Sequence, residues 1–345
     1  MKTSQPVAAG HPERIELVHG GGGRASAQLI ERMFIRAFDN PMLQQKNDQA
    51  RFDVPTRRLV MTTDAHVVSP LFFPGGDIGS LAVHGTLNDI AMAGAEPLYL
   101  AVSFILEEGL LLRDLQRIVA SMARASEAAG VPIVTGDTKV VERGKADGVF
   151  ITTSAIGSVP NGVDLSADRA QPGDQILLSG TIGDHGVAIL SARDSLGFTS
   201  PIRSDSAALH DLVKQMVRQV PTIRCMRDPT RGGLATALNE ICQQSGVGML
   251  IDEQAVAIAP AVQSACELLG LDPYYLANEG KLIAICPAAQ ADRLLAQMRA
   301  HPLGQGASRI GVVTTDPQAM VELQTALGGI RLLDWLNGDP LPRIC

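Results

Sequence analysis

The chain has 345 residues, 46% of them apolar and 19% charged, which suits two globular domains and excludes long disorder. A net charge of −7 with only 3% aromatic residues excludes a basic grip on nucleic acid backbones and the aromatic platforms on which bases stack. No apolar run reaches the roughly 18–20 residues that span a bilayer, and the start lacks a signal-type apolar core, so the expected location is the cytoplasm.

In chain order, "IELVH" predicts a short strand. "SAQLIERMFIRAF" then places Leu29, Ile30, Met33, Phe34, Ala37 and Phe38 on one helical stripe, which Asn40-Pro41 stops. "RRLVMTTD" predicts a strand ending in an acid, and "GSLAVHGTLNDIAMAG" a helix closed by glycine. A long strand in "LYLAVSFIL", a helix in "LRDLQRIVASMARASEAAG" and strands in "VPIVTGDTK" and "GVFITTSAIGSV" complete the first half. A turn-rich stretch from Pro160 to "AQPGDQ" predicts the domain boundary.

The second half alternates strands in "QILLSG", "VGMLID", "KLIAIC" and "ASRIGVV" with helices. The helices are expected in "HGVAILSARDSLG", "ALHDLVKQMVRQV", "GGLATALNEICQQSG", "AVQSACELLG" and "AAQADRLLAQMRAH". The fold class is therefore α/β (α+β) with two domains. The expected division is a Gly-rich segment and helix over 1–40, a first domain over 41–160, a second over 170–330 and a tail over 335–345. Gly338, Pro340 and Pro342 keep that tail out of a helix, and Trp335 is the expected anchor at its base. If extended, its last nine residues span roughly 30 Å.

Cys225, Cys242, Cys266, Cys286 and Cys345 are odd in number and form no CxxC pair. Cys242 and Cys286 read as small core residues, whereas nothing follows Cys345. Four short stretches present acids: "TTDAHVV" with Asp64, "TLNDIAMAG" with Asn88 and Asp89, "VTGDTKVVE" with Asp137 and Lys139, and "CMRDPTRGG" with Asp228. Carboxylates at strand ends gather on one rim of a sheet and suit Mg²⁺, which keeps water and substrate phosphates as ligands; each Asp read alone is equally a cap or turn former. Gly20, Gly21, Gly22 and Gly23 offer open backbone N–H groups for phosphate, or a hinge. They fit a weak dinucleotide pattern but not a Walker A loop. "ANEGKL" sets Glu279 before a strand, either as a general base or within a turn. His66, His84 and His185 lack zinc spacing and read as ordinary polar residues.

Taken together, "HGGGG", "TTDAHVVSPLFFPGGDIGSLAVHGTLNDIAMAGAEP", "GDTKVVERG", "DPTRGGLATALNE", "ANEGKL" and terminal "PRIC" resemble the HypE family of hydrogenase maturation carbamoyl dehydratases, in the AIR-synthase-like (PurM-like) superfamily. The resemblance runs in order over nearly the whole chain. It implies a PurM-like ATP-binding and dimerisation domain followed by a second PurM-like domain, a homodimer, and ATP with Mg²⁺ as cofactors. It also implies a carbamoyltransferase partner, HypF, that loads the terminal cysteine, and a HypC–HypD scaffold that receives cyanide for the [NiFe]-hydrogenase iron. On this resemblance Cys345 carries the reacting group, Lys139 holds the γ-phosphate or activated oxygen, and Glu279 is the base. Asp64, Asp89 and Asp228 are the implied metal acids, with Asp137, Gly136, Thr138, Asn88 and Gly20–Gly23 around the nucleotide. A selenophosphate-synthetase-type enzyme is the alternative, but it would need a reactive residue in the Gly-rich loop, which holds no cysteine. A non-catalytic thiol carrier is the other alternative.

Overall fold

The structure is a computed structural model that describes residues 14–20, 24–44, 50, 52–54, 58–193, 201–336 and 343–345. Gly21–Gly23 and tail residues 337–342, both singled out from sequence, lie outside the described residues. The first segment is a 3-10 turn at Leu17–Gly20 rather than the expected strand. A helix follows as α1 (Arg24–Leu29), a π-helical stretch (Ile30–Ile35) and α2 (Arg36–Phe38), and α3 (Pro41–Gln44) comes after it.

The first half is organised by β1 (Leu59–His66), the two-residue ladder β2 (Phe72–Phe73) and β3 (Gly76–Asp77), helix α4 (Ile78–Met92), β4 (Glu96–Glu107), α5 (Leu112–Ala129), β5 (Ile133–Val141) and β6 (Val149–Ser158). Four of these strands form a sheet in the order β1-β6-β4-β5. The second half contains β7 (Gln175–Leu178), α6 (Asp184–Ser191), α7 (His210–Gln219), β8 (Cys225–Arg227), α8 (Gly233–Ser245), β9 (Gly248–Asp252) and α9 (Pro260–Leu269). It ends in β10 (Ile283–Cys286), α10 (Ala288–Arg299), β11 (Ser308–Thr314), β12 (Val321–Gln324) and β13 (Ile330–Leu332). Its seven strands order as β13-β12-β9-β11-β7-β10-β8. The short strands β8, β12 and β13 escape the sequence reading because they lack the continuous apolar run that marks the equally short β7 and β10.

Helix α4 is the hinge of the architecture. Asp77 starts it with a capping box, accepting from Gly79 N at 2.8 Å and Ser80 N at 3.2 Å while Ser80 Oγ accepts from Asp77 N. Its residues are apolar nearly all round because it packs on the four-stranded sheet on one side and on α7 and β8 of the second half on the other. Leu81, Leu87 and Ile90 are fully buried, each adding about 1.5–3 kcal/mol of burial. The polar residues on so apolar a helix, Asn88 and Asp89, are held at the seam between the halves.

Two register facts place the acids. Asp64 lies within β1, opposite Thr153 of β6, and Asp137 lies within β5, opposite Ser103 of β4, so neither sits at a strand end as expected. The ladder also puts them on opposite faces of the sheet: Thr62, Asp64 and His66 point towards α4, whereas Asp137 and Lys139 share the outer face with Ser103 and Ala65. In the second half, β10 begins where its antiparallel neighbour β8 ends, which brings the Glu279 turn beside Asp228.

Candidate functional site

The terminal residues Arg343–Cys345 lie docked between the halves. Val67 N donates to the Cys345 carbonyl and Ser69 N to the Arg343 carbonyl, both at 3.1 Å, so the tail end runs along the segment that leaves β1. Ile344 is buried, and its carbonyl accepts from His185 Nε2 at 2.8 Å. Arg343 pairs with Asp147. This docking brings the Cys345 thiol beside the Glu279 carboxyl, close enough for the two to act on each other electrostatically. Burial first, and then the negative groups Glu279 and Asp64, push the thiol well above its usual range, against a smaller opposing pull from Arg231.

Glu279 is 4% exposed and its carboxyl is raised well above the ordinary value, by burial first and then by Asp228, Asp205, Asp64 and Asp89. A buried, protonation-ready carboxyl against a thiol is acid–base equipment. The turn that holds it is fixed by Asn278, fully buried, which accepts from Gly183 N at 2.8 Å and donates to the Pro229 and Leu276 carbonyls. Gly85 of α4 leaves the space in front of it. A Cβ there would lie 3.1 Å from His66 Cε1, 3.5 Å from Asp64 Oδ2 and 3.9 Å from Glu279 Oε2, so these three groups face one point.

Beside this point is a cavity of about 420 Å³ lined by Thr62, Asp89, Arg227, Asp228 and Thr230 among others. Asp89 accepts from Thr62 Oγ1 at 2.8 Å, yet burial still raises its carboxyl above the usual range. Burial and the neighbouring Asp89 push Asp228 up to about 7. Among the described residues no three His, Cys, Asp or Glu side chains converge as a ready-made metal cage. Two carboxyls and a threonine around an open cavity do fit Mg²⁺, which takes one or two carboxylates and completes its shell with water and phosphate oxygens.

The structure divides the remaining expected residues. Asn88, expected around the nucleotide, donates to the Ala207 and Glu279 carbonyls and accepts from Leu209 N at 2.8 Å, which ties its amide to the protein. Lys139 and Asp137 pair with each other at 2.9 Å on the exposed outer face, away from the Glu279 side of the sheet within one chain. Gly20 crosses β5 beside them, where a Cβ would come within 2.8 Å of Val140. Gly136, Asp137 and Thr138 line an apolar cavity of about 100 Å³ with Phe34 and Phe104. Gly20 and the "GDTK" strand are therefore neighbours, a second cluster distinct from the acids around Cys345.

The packing adds what the sequence did not carry and corrects the expected tail anchor. His66 and His185, read as ordinary polar residues, are buried, His66 3.6 Å from Asp64 and His185 on the tail, and burial lowers both below the usual histidine range. His84 is held by Ser206 at 3.0 Å and lowered to about 4 by burial and His210. The tail's anchor is Leu333, buried and bonded to Val321 and Asn239, whereas Trp335 is 37% exposed. Arg231 and Asp205, which no sequence argument singled out, face the thiol and the Glu279 turn; the "PTRGG" arginine beside a metal-type acid was the available signal for the first. The expected core thiols Cys242 and Cys286 are buried, as are Cys225 and Cys266.

Family models for the N-terminal and C-terminal domains of AIR synthase related proteins match residues 46–159 and 171–324. The chain is 67% identical to the carbamoyl dehydratase HypE of Cupriavidus necator over 333 residues, 96% of this chain and 95% of that protein. It is 46% identical to the Escherichia coli carbamoyl dehydratase HypE, covering 96% and 99%. A crystal structure of the hydrogenase maturation protein HypE in complex with ATP superposes with a TM-score of 0.92 at 53% identity, covering 95% of this chain and 99% of that one. HypE from a HypE–HypF complex superposes at 0.79 and 46% identity, covering 89% and 99%. Thiamine monophosphate kinase from Aquifex aeolicus, at 19% identity and a TM-score of 0.61 over 90% of this chain and 99% of that one, shares the fold alone. With the tail thiol, the buried glutamate and the paired acids on one seam, the chain belongs to the HypE family of carbamoyl dehydratases, on the AIR synthase related fold.

Proposed function

We propose that this chain dehydrates an S-carbamoyl group on its own Cys345 to a thiocyanate at the expense of ATP, supplying cyanide for a [NiFe]-hydrogenase iron. The tail end docked between the halves, its thiol beside the buried Glu279 carboxyl, is the observation that carries the reading. A carboxamide oxygen is a poor leaving group, so it must leave as phosphate. The thiocarbamate and ATP give thiocyanate, ADP and inorganic phosphate, the phosphate keeping the amide oxygen. The two amide protons must be removed as the C–O bond breaks, and Glu279 stands at the sulfur to take one. Asp64 and His66 face the same point and orient the amide.

Asp89 and Asp228 would hold Mg²⁺ in the adjoining cavity, where the ion supplies neutralisation of phosphate charge. The Gly20–Gly23 loop with Gly136, Asp137, Thr138 and Lys139 would hold nucleotide along β5, with the Asp137 and Lys139 side chains on the outer face. This division calls for a homodimer in which that face meets its counterpart; the exposure of Leu59, Met61 and Ile105 there supports the reading. A HypF-type carbamoyltransferase would load Cys345 and a HypC–HypD-type complex would accept the cyanide, in the cytoplasm. The test is mass spectrometry of the C-terminal peptide with carbamoyl phosphate, ATP and the transferase. The reading requires gain of one carboxamide and then, with ATP, loss of one water; an unmodified Cys345 throughout would refute it.

A further inference from the structure

The residues between Arg203 and His210 join neither sheet, yet the polar side chains of Ser204, Asp205 and Ser206 are all tied to the site. Ser206 N donates to Ser204 Oγ at 3.1 Å, Ser204 Oγ lies 2.8 Å from His185 Nδ1, and His185 Nε2 lies 2.8 Å from the Ile344 carbonyl. A carbonyl can only accept, so Nε2 carries the ring proton and Nδ1 accepts from the Ser204 hydroxyl. The same segment continues to the Glu279 turn: Asp205 Oδ1 accepts from Glu279 N and Oδ2 pairs with Lys281, both at 3.0 Å. It then reaches α4, where Ser206 Oγ meets His84 at 3.0 Å and Asn88 grips Ala207 and Leu209. Two close approaches leave it little freedom. A Cβ on Gly280 would lie 1.8 Å from the Asp205 carbonyl oxygen, and one on Gly75 2.7 Å from Ser204 N.

We propose that residues 204–209 form a strap that couples docking of the C-terminal tail to the alignment of Glu279 and α4, with Ser204 reading the tail through His185. The inference rests on the proposed function for its purpose but not for its physics. Arg343 sits at φ 56°, a conformation a side chain disfavours, so the docked tail depends on bonds that hold it there. The His185 bond to Ile344 is one, and the strap sets its tautomer and aim. Tail docking and base alignment are then one event, which keeps the acid–base machinery slack until the loaded sulfur arrives. Ser204 and Ser206 are positioning residues, since neither touches the reacting atoms.

The test is the alkylation rate of Cys345 in the full-length chain with iodoacetamide, followed on the C-terminal peptide by mass spectrometry. This readout needs no enzymatic turnover, so it stands or falls separately from the dehydratase reading. Ser204→Ala is expected to raise the rate about tenfold through a larger undocked population. Ser206→Ala breaks the α4 contact without touching the tail, and a rise of about threefold is expected from coupling alone. Thermal unfolding of both variants within a few degrees of the parent separates release of the tail from general loosening. Ser206→Ala at the parent rate would overturn the strap, leaving a local latch; Ser204→Ala at the parent rate would overturn the latch as well.

Discussion

At the scale of single residues, the site turns on a carboxyl and a thiol whose affinity for a proton burial raises. Glu279→Gln keeps the shape and removes the base, so water loss from the loaded cysteine should slow by about 10²–10⁴-fold while carbamoylation proceeds. Stopped time points of the C-terminal peptide would check this, and unaltered water loss would place the base elsewhere. Gly85→Ala puts a methyl into the point that His66, Asp64 and Glu279 share. The dehydration rate should fall by about tenfold or more, with the half-saturating ATP concentration unchanged, because the amide is displaced rather than the nucleotide. Cys345 stood out in the string as a terminal thiol, whereas Glu279 and Asp228, each equally a turn former when read alone, were singled out by the family resemblance. His185, Asp205 and Arg231 were not, since their roles come from long-range contacts that no local spacing encodes.

At the scale of elements, the long helices and strands were readable from apolar period, and α4 with the glycine that closes it. The reading failed on β8, β12 and β13, where pairing with a neighbour rather than propensity makes the strand. It also misplaced Asp64 and Asp137 at strand ends, since sequence gives no view of how far a ladder runs. The turn between α9 and β10 makes its own prediction. Asn278→Ala orphans Gly183 N and two carbonyls in a dry site, so unfolding free energy should drop by about 1–3 kcal/mol. Denaturant unfolding is the measurement, and a neutral result would remove Asn278 from the frame that holds Glu279.

At the scale of the whole molecule, acids of both halves meet across one seam, and their mutual repulsion links stability to pH and metal. Asp228 is raised to about 7 in the fold, so the folded state favours its proton. That contribution is present below the ordinary carboxyl range and is lost as pH rises from about 4 to about 7. Asp228→Asn should therefore gain melting temperature over the metal-free parent at pH 7.5 but not at pH 4, and Mg²⁺ should raise the parent more than the variant at the higher pH. A scanning fluorimetry series would contradict the account if the variant's gain were the same at both.

The central claim is that ATP removes the amide oxygen from a group carried by Cys345. Carbamoyl groups bearing a heavy oxygen isotope, loaded on Cys345 and then given ATP in ordinary water, test it directly. The account predicts one heavy oxygen in each inorganic phosphate released; phosphate without label, with the heavy oxygen in water, would contradict it.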